Sequence, residues 1–327
     1  WGPAMPEESL KMHPAPLLAL VVPCYNEQEI LPATMQTLSR MLEECKDNEI
    51  IKNDSYVLYV DDGSRDQTWN LLEEKHINDK YCHAIKFAGN AGHQNAVWAG
   101  MAQARAWDAD CIISLDADLQ DDTRIIPQMV EEYCKGNDIV YGVRNNRETD
   151  TTFKRVTAHL FYAFMRWLNV SVIPDHADYR LVSRPVLDAL EGYSEQNLFL
   201  RGLFPTIGFK SSKVFYKRLS RKAGESKYPL RKMLSFAWRG ITSCSVAPLR
   251  VAGLMSLICM LLAFIMCIVS LFKYATGDTI QGWTSLIIVS LLLGGVQLFC
   301  LAVMGEYIAN IFTEVRHRPR YIIEKTL

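Results

Sequence analysis

The chain reads as an α/β domain with a mainly parallel sheet, followed by two apolar helices. Between Leu17 and Gly142, short apolar runs rich in β-branched and aromatic residues alternate with longer amphipathic stretches. Further on, Val251–Phe272 and Trp283–Met304 contain no charged side chain. The first pattern implies βαβ units with helices on both faces of a sheet. The second implies segments about long enough to cross a hydrocarbon core.

The predicted strands are LLALVVP (17–23), YVLYV (56–60), AIKFA (84–88), CIISLD (111–116) and DIVYGV (138–143), each bounded by turn or polar residues. Helical patterns fill the intervals at Ile30–Glu44, Gln67–Lys75, Gln94–Trp107 and Asp122–Lys135. Phe153–Val170 has Val156, Leu160, Phe164 and Trp167 at helical spacing with Lys154, Arg155 and Arg166 nearby. It fits a helix on a membrane surface or one packed on the domain. Tyr228–Thr242 has the same character.

Ten residues, KYATGDTIQG, separate the two uncharged segments, too few for a domain, so they form a hairpin in the bilayer. Arg231, Lys232, Arg239 and Arg250 precede it, and Arg316, Arg318, Arg320 and Lys325 follow it. The excess of positive charge outside the hairpin places both ends of the chain in the cytoplasm of an integral membrane protein of the plasma or inner membrane. Residues 1–16 contain prolines and no apolar run; they are expected to be a flexible remnant rather than a signal peptide. A net charge of −1 excludes the global basic field that gathers nucleic acid. Nine dispersed cysteines without a C-x-x-C pair argue against disulfides and zinc, leaving reduced thiols.

Three polar clusters fall at successive strand ends, where sites form in such sheets. They are Pro23-Cys24-Tyr25-Asn26-Glu27, Asp61-Asp62-Gly63-Ser64 and Asp116-Ala117-Asp118-Leu119-Gln120-Asp121. A single acidic turn is equally well helix capping. Three on one rim repel one another and call for a compensating cation. Asp-x-Asp suits one hard divalent ion whose shell a diphosphate completes.

These clusters occur in order with the N-x-G of GNAGHQNA (89–96), YGVR (141–144), DYRLVSR (178–184), GESKYPLRK (224–232) and GEYIANIFTEVRHRPRY (305–321). Together they resemble the inverting GT-A glycosyltransferases of family 2, in the polyisoprenyl-phosphate branch of bactoprenol glucosyltransferases and dolichol-phosphate mannose synthases. The likeness covers nearly the whole chain from Leu17. It implies a Rossmann-like GT-A catalytic domain over 17–227, an interfacial helix over 228–246, a transmembrane hairpin over 247–308 and a cytoplasmic tail over 309–327.

It also implies roles. Pro23, Tyr25, Glu27 and Asp62 would bind nucleobase and ribose, with Asp61 in support and Asn90 and Gly92 completing the donor site. Asp116, Asp118 and Gln120 would hold Mg²⁺ or Mn²⁺ at the diphosphate. Arg144 and Arg155 would meet the acceptor phosphate, with Ser226 and Lys227 near the phosphates. Asp178 and Arg180 would lie near the transferred sugar. One departure stands out: many relatives have Arg-Asn-x-Gly-Lys where this chain has Gly89-Asn90-Ala91-Gly92-His93.

The expected reaction moves a sugar from a UDP-sugar donor to a polyisoprenyl (undecaprenyl) phosphate at the cytoplasmic membrane face. The acceptor phosphate is already ionised near neutrality, its second pKa being about 6, so no general base is required, although Asp178 or Asp175 would suit that role. NLFLRGLFPTIGF (197–209) and the tail favour glucose, with UDP-N-acetylglucosamine close behind and GDP-mannose or an aminopentose after it. A processive synthase would show Gln-x-x-Arg-Trp; here Ala163 precedes Arg166-Trp167 at the Gln position. A flippase component or a membrane-tethered binding protein is the alternative from another class. The resemblance also brings a homo-oligomer.

Overall fold

The computed structural model describes residues 14–144, 176–193, 195–196, 200–217, 247–275 and 283–327. The chain divides into two compact units. One holds the sheet together with the terminal residues Arg318–Leu327, and the other holds the apolar helices.

In the first unit, β1 (Leu18–Cys24), β2 (Tyr56–Asp61), β3 (Cys82–Phe87), β4 (Cys111–Ser114) and β5 (Ile139–Arg144) form where the apolar runs predict them. The interleaved helices are α1 (Leu31–Asp47), α2 (Thr68–Asn78), α3 (His93–Ala106) and α4 (Ile126–Cys134). Then follow β6 (His176–Ser183), α5 (Arg184–Leu190), the short α6 (Leu200–Leu203) and β7 (Ser211–Tyr216). After the second unit comes β8 (Ile323–Thr326). The eight strands lie in the order β7-β5-β6-β4-β1-β2-β3-β8. Among the described strands, only β6 and β8 run against their neighbours, so the expected α/β architecture with a mainly parallel sheet is found.

The central strands are buried on both faces, so they read as continuous apolar runs rather than alternating ones. Leu18, Leu20 and Val22 of β1 join a core layer with α1, α2 and α4. Ala19 and Val21 face the opposite layer, built from α3, α5 and α6. This period-two division of one strand fixes its register, since a one-residue slip would exchange the layers.

The helix α3 crosses close over β1 and β2 at Gly100. A Cβ there would lie 2.2 Å from Val21 Cγ1 and 3.0 Å from Val60 Cγ2. Gly100→Ala is therefore expected to destabilise the domain. Overpacking costs about 1–3 kcal/mol and outweighs the ~1 kcal/mol of helix propensity gained. Gly89→Ala, where an added methyl meets nothing within 4 Å, serves as the control whose unfolding midpoint stays put.

The last residues return to the sheet. β8 pairs antiparallel with β3, and Leu327 N donates to Ala84 O at 2.8 Å. Tyr321 stacks on Phe87 with centroids 4.9 Å apart, and the Arg320 guanidinium sits 4.6 Å from the Trp98 ring. Arg320 Nη2 also donates to Tyr193 O at 2.6 Å. The tail thus covers an edge that would otherwise present unpaired amides.

In the second unit, α7 (Ala247–Ala275) and α8 (Trp283–Val315) pack against each other. Small residues make the contact: Cys300 Sγ of α8 lies 3.4 Å from Ser256 Oγ of α7 and donates to Ala252 O at 3.5 Å. Outside it, Leu254, Leu261, Phe264, Leu298 and Leu301 are exposed. Among the described residues, Leu292–Val315 is long and apolar enough to cross a membrane, and Val251–Leu262 is a shorter apolar stretch. An apolar surface of this extent points to membrane association.

Candidate active site

The carboxyl ends of β1, β2 and β4 bring the three polar clusters to one rim of the sheet. Pro23 is buried in β1, and Tyr25 beyond it is 42% exposed. The loop after β1 is stitched to the loop after β2. Asn26 N donates to Ser64 Oγ at 2.9 Å, Asn26 Oδ1 accepts from Arg65 N at 2.9 Å, and Glu27 N donates to Thr68 Oγ1 at 2.9 Å.

Asp61 and Asp62 are both buried but differ in use. The Asp62 carboxylate accepts from Ala91 N at 2.6 Å and Gly92 N at 2.9 Å, and Asn90 Nδ2 donates to Asp62 O at 3.3 Å. Asp62, Asn90 and Gly92 therefore come together, with both carboxylate oxygens of Asp62 spent on the loop. Gly63 permits this closeness: with φ of +68°, its added Cβ would lie 2.6 Å from Gly89 C. Asp61 accepts from Ser64 N at 2.9 Å through Oδ1, while its buried Oδ2 has no partner among the described residues. Burial pushes both carboxyls up from their ordinary range, outweighing the amide bonds.

The acidic loop after β4 is bent sharply, with Leu119 at φ +52°, an uncommon conformation for a bulky residue. Gln120 N donates to Asp118 Oδ1 at 3.1 Å, Thr34 Oγ1 to Ala117 O at 2.6 Å, and Tyr179 OH to Asp122 O at 3.1 Å. The Asp116 side chain keeps 39% of its surface, yet crowding by protein removes much of its bulk water. That desolvation, with the like charges of Asp121, Asp178 and Asp118, lifts its pKa to about 6 against the pull of His93. Among the described residues no group of three or more His, Cys, Asp or Glu side chains is arranged to hold a metal ion. Asp116, Asp118 and Gln120 supply hard oxygen donors, and a cation there would need ligand oxygens as well.

Asp178 and Arg180 occupy β6, beside β4. Asp178 is almost fully buried and surrounded by donors. Arg180 Nη2 reaches its Oδ1 at 2.5 Å, Arg201 Nη2 its Oδ2 at 3.1 Å, and Gln94 Nε2 its Oδ2 at 3.4 Å. His93 Nε2 lies 3.5 Å from Asp178 and 3.6 Å from Asp116. Burial would raise the Asp178 pKa, but His93, Arg180 and Arg201 hold it well below the ordinary carboxylate range. A carboxylate held so firmly ionised is a poor proton acceptor. Arg180 is 0% exposed and spends its charge on Asp178, with Nη1 donating to Leu200 O at 3.3 Å.

Arg144 ends β5 near the acidic loop, its Nη2 3.3 Å from Asp121 Oδ1. Arg155, Ser226 and Lys227 lie outside the described residues, as do both amphipathic segments. His93, Gln94 and Arg201 were not singled out by the motifs as site residues. His93 was visible only as a departure from the resemblance. Arg201 comes from a short helix, not a strand end.

The family description "Glycosyl transferase family 2" matches residues 19–190, and "GtrB C-terminal hairpin" matches residues 247–311. The chain is 47% identical to the uncharacterized glycosyltransferase YkoT of Bacillus subtilis (strain 168), over 94% of this chain and 91% of that one. It is 35% identical to the SfII prophage-derived bactoprenol glucosyl transferase of Shigella flexneri, over 94% of this chain and 98% of that one. It is 34% identical to the prophage bactoprenol glucosyl transferase homolog of Escherichia coli (strain K12), again over 94% and 98%. The sheet domain is thus the GT-A-like fold of these enzymes, and the chain belongs to glycosyl transferase family 2.

Proposed function

We propose that the chain transfers glucose from UDP-glucose to a polyisoprenyl phosphate at the cytoplasmic face of a membrane, inverting the anomeric centre. The observation that carries this reading is the length of the likeness. Bactoprenol glucosyl transferases match over 94% of the chain, so the hairpin is included along with the sheet domain. A lipid acceptor explains why a soluble-type α/β domain carries an apolar hairpin. Tethering turns a search through solution into a short-range encounter at the headgroup layer.

In this reading the donor lies along the rim formed by β1, β2 and β4. The buried Oδ2 of Asp61, which has no partner among the described residues, would accept a donor N–H of the nucleobase. Asp116 and Asp118, with Gln120, would hold Mg²⁺ or Mn²⁺, which when bound supplies Lewis-acid stabilisation to the leaving diphosphate. Arg144 and Arg155 hold the acceptor phosphate in line with the anomeric carbon, guanidinium forks being matched to phosphate oxygens. Asp178 orders the floor of the site instead of accepting a proton. Both ends of the chain and the sheet domain face the cytoplasm.

The test is transfer of radiolabelled sugar into an organic-extractable lipid by the purified chain in nanodiscs containing polyprenyl phosphate. UDP-glucose is expected to label the lipid above UDP-N-acetylglucosamine and GDP-mannose, and EDTA to abolish labelling until Mg²⁺ or Mn²⁺ is restored. No lipid labelling from any of these donors would overturn the acceptor assignment. Undiminished labelling after chelation would overturn the cation.

A further inference from the structure

Arg144 does not stand alone at the end of β5. Tyr216 ends the neighbouring strand β7, and the two are register partners in a parallel pair, so the sheet sets them side by side. Arg144 Nε donates to Tyr216 OH at 3.2 Å. Tyr216 OH donates in turn to Asp121 Oδ1, the oxygen that also accepts from Arg144 Nη2 at 3.3 Å. Three elements, the acidic loop, β5 and β7, thus meet in one closed triangle of hydrogen bonds. Asp121 and Tyr216 are buried, whereas the Arg144 side chain keeps 29% of its surface. Arg144 is the member of the triangle whose side chain reaches solvent.

Resting on the function proposed above, we infer that Tyr216 and Asp121 are positioning residues for the lipid acceptor. They fix one edge of the Arg144 guanidinium so that its exposed part is oriented before the phosphate arrives. An unanchored arginine carries rotamer entropy that capture of a phosphate would have to remove. Anchoring removes much of it in advance, which is how preorganisation raises affinity. Burial and the neighbouring Asp121 carboxylate push the Tyr216 hydroxyl above its ordinary range, so it stays a donor. The Tyr216 ring is itself fixed, packed edge-on to Tyr179 with centroids 5.5 Å apart, and Tyr179 OH holds Asp122 O. The loop that carries Asp116 and Asp118 and the arginine assigned to the acceptor therefore share one buried anchor. The loop keeps its own tether through Tyr179 OH, so loss of the Tyr216 hydroxyl releases Arg144 without freeing Asp116 and Asp118.

Tyr216→Phe removes the hydroxyl and keeps the ring. Steady-state transfer by the full-length chain in nanodiscs should show the acceptor KM raised about five- to tenfold. The donor KM, and UDP release in the absence of lipid acceptor, should remain as in the unmodified chain. In an Arg144→Ala background, which by itself raises the acceptor KM, adding Tyr216→Phe should change it less than twofold, because the two act through one contact. An unchanged acceptor KM in Tyr216→Phe, equal increases in both KM values, loss of donor binding, or full additivity in the double variant would each overturn the positioning role. Where the unmodified chain labels lipid and Tyr216→Phe is silent on the acceptor, only this inference falls. Where the unmodified chain labels no lipid, the underlying function falls and takes the inference with it.

Discussion

Replacing Asp118 by Ala is expected to lower sugar transfer by about 10²–10³-fold, the range seen when one preorganised stabilising group is removed from a transition state. The leaving diphosphate is where negative charge develops, and Asp118 belongs to the loop that would organise a cation beside it. Burial first, and then the like charges of Asp121, Asp178 and Asp118, lift Asp116 to about 6 against the pull of His93. Removing one carboxylate relieves that repulsion, so the variant should fold at least as well while failing in turnover. Asp178→Asn is the contrast. It keeps the shape of a carboxylate, and an oxygen at the Oδ1 position still accepts from Arg180 Nη2 and Arg201 Nε, while the amide nitrogen at the other position loses the bonds from Arg201 Nη2 and Gln94. A phosphate nucleophile with a second pKa of about 6 needs no proton removed at neutral pH. Single-turnover transfer per donor-binding site should therefore fall no more than about tenfold in Asp178→Asn, against the far larger fall in Asp118→Ala. Equal losses in the two variants, with donor binding intact, would assign Asp178 a proton-transfer role.

The parallel centre of the sheet was legible because its strands are buried on both faces. Nothing polar interrupts LALVV or YVLYV, and Gly63 and Gly92 punctuate the turns. The strand-end acids were legible for the same reason, since they follow the apolar runs directly. β6 was not read as a strand because Asp178 and Arg180 stand in its middle. A buried ion pair offsets each charge with the other, and a hydropathy pattern cannot register that compensation. β8 was hidden by distance. It is a four-residue strand whose partner β3 precedes it by more than two hundred residues, and all four of its residues are exposed. Asp121 is visible only as the last acid of its cluster, and Tyr216 looks ordinary alone. Only the parallel register of β5 and β7, a tertiary fact, puts the hydroxyl against Arg144.

Arg180→Met should destabilise the sheet domain by about 3–5 kcal/mol, the cost of removing one partner from a buried charge pair. Arg180 is 0% exposed, so no water can replace its guanidinium at Asp178 Oδ1 or at the Leu200 carbonyl. Its plane also packs 4.6 Å from the Phe204 ring, which fastens α6 beneath β6. Met fills the volume but supplies none of the donors. Arg201, the other guanidinium on Asp178, is 38% exposed, and its removal should cost at most about 1 kcal/mol because solvent screens and partly replaces it. The two arginines thus make opposite demands on one carboxylate: Arg180 holds it from the core, Arg201 from the site. Hydrogen exchange at the β6 amides reads the difference directly, with protection lost in Arg180→Met and largely kept in Arg201→Ala. Adding Asp178→Asn to Arg180→Met removes the stranded charge and should recover more than about 1 kcal/mol, as coupled neighbours do. Simple additivity of the two losses would mean that Arg180 stabilises β6 through packing on Phe204 and not through its charge.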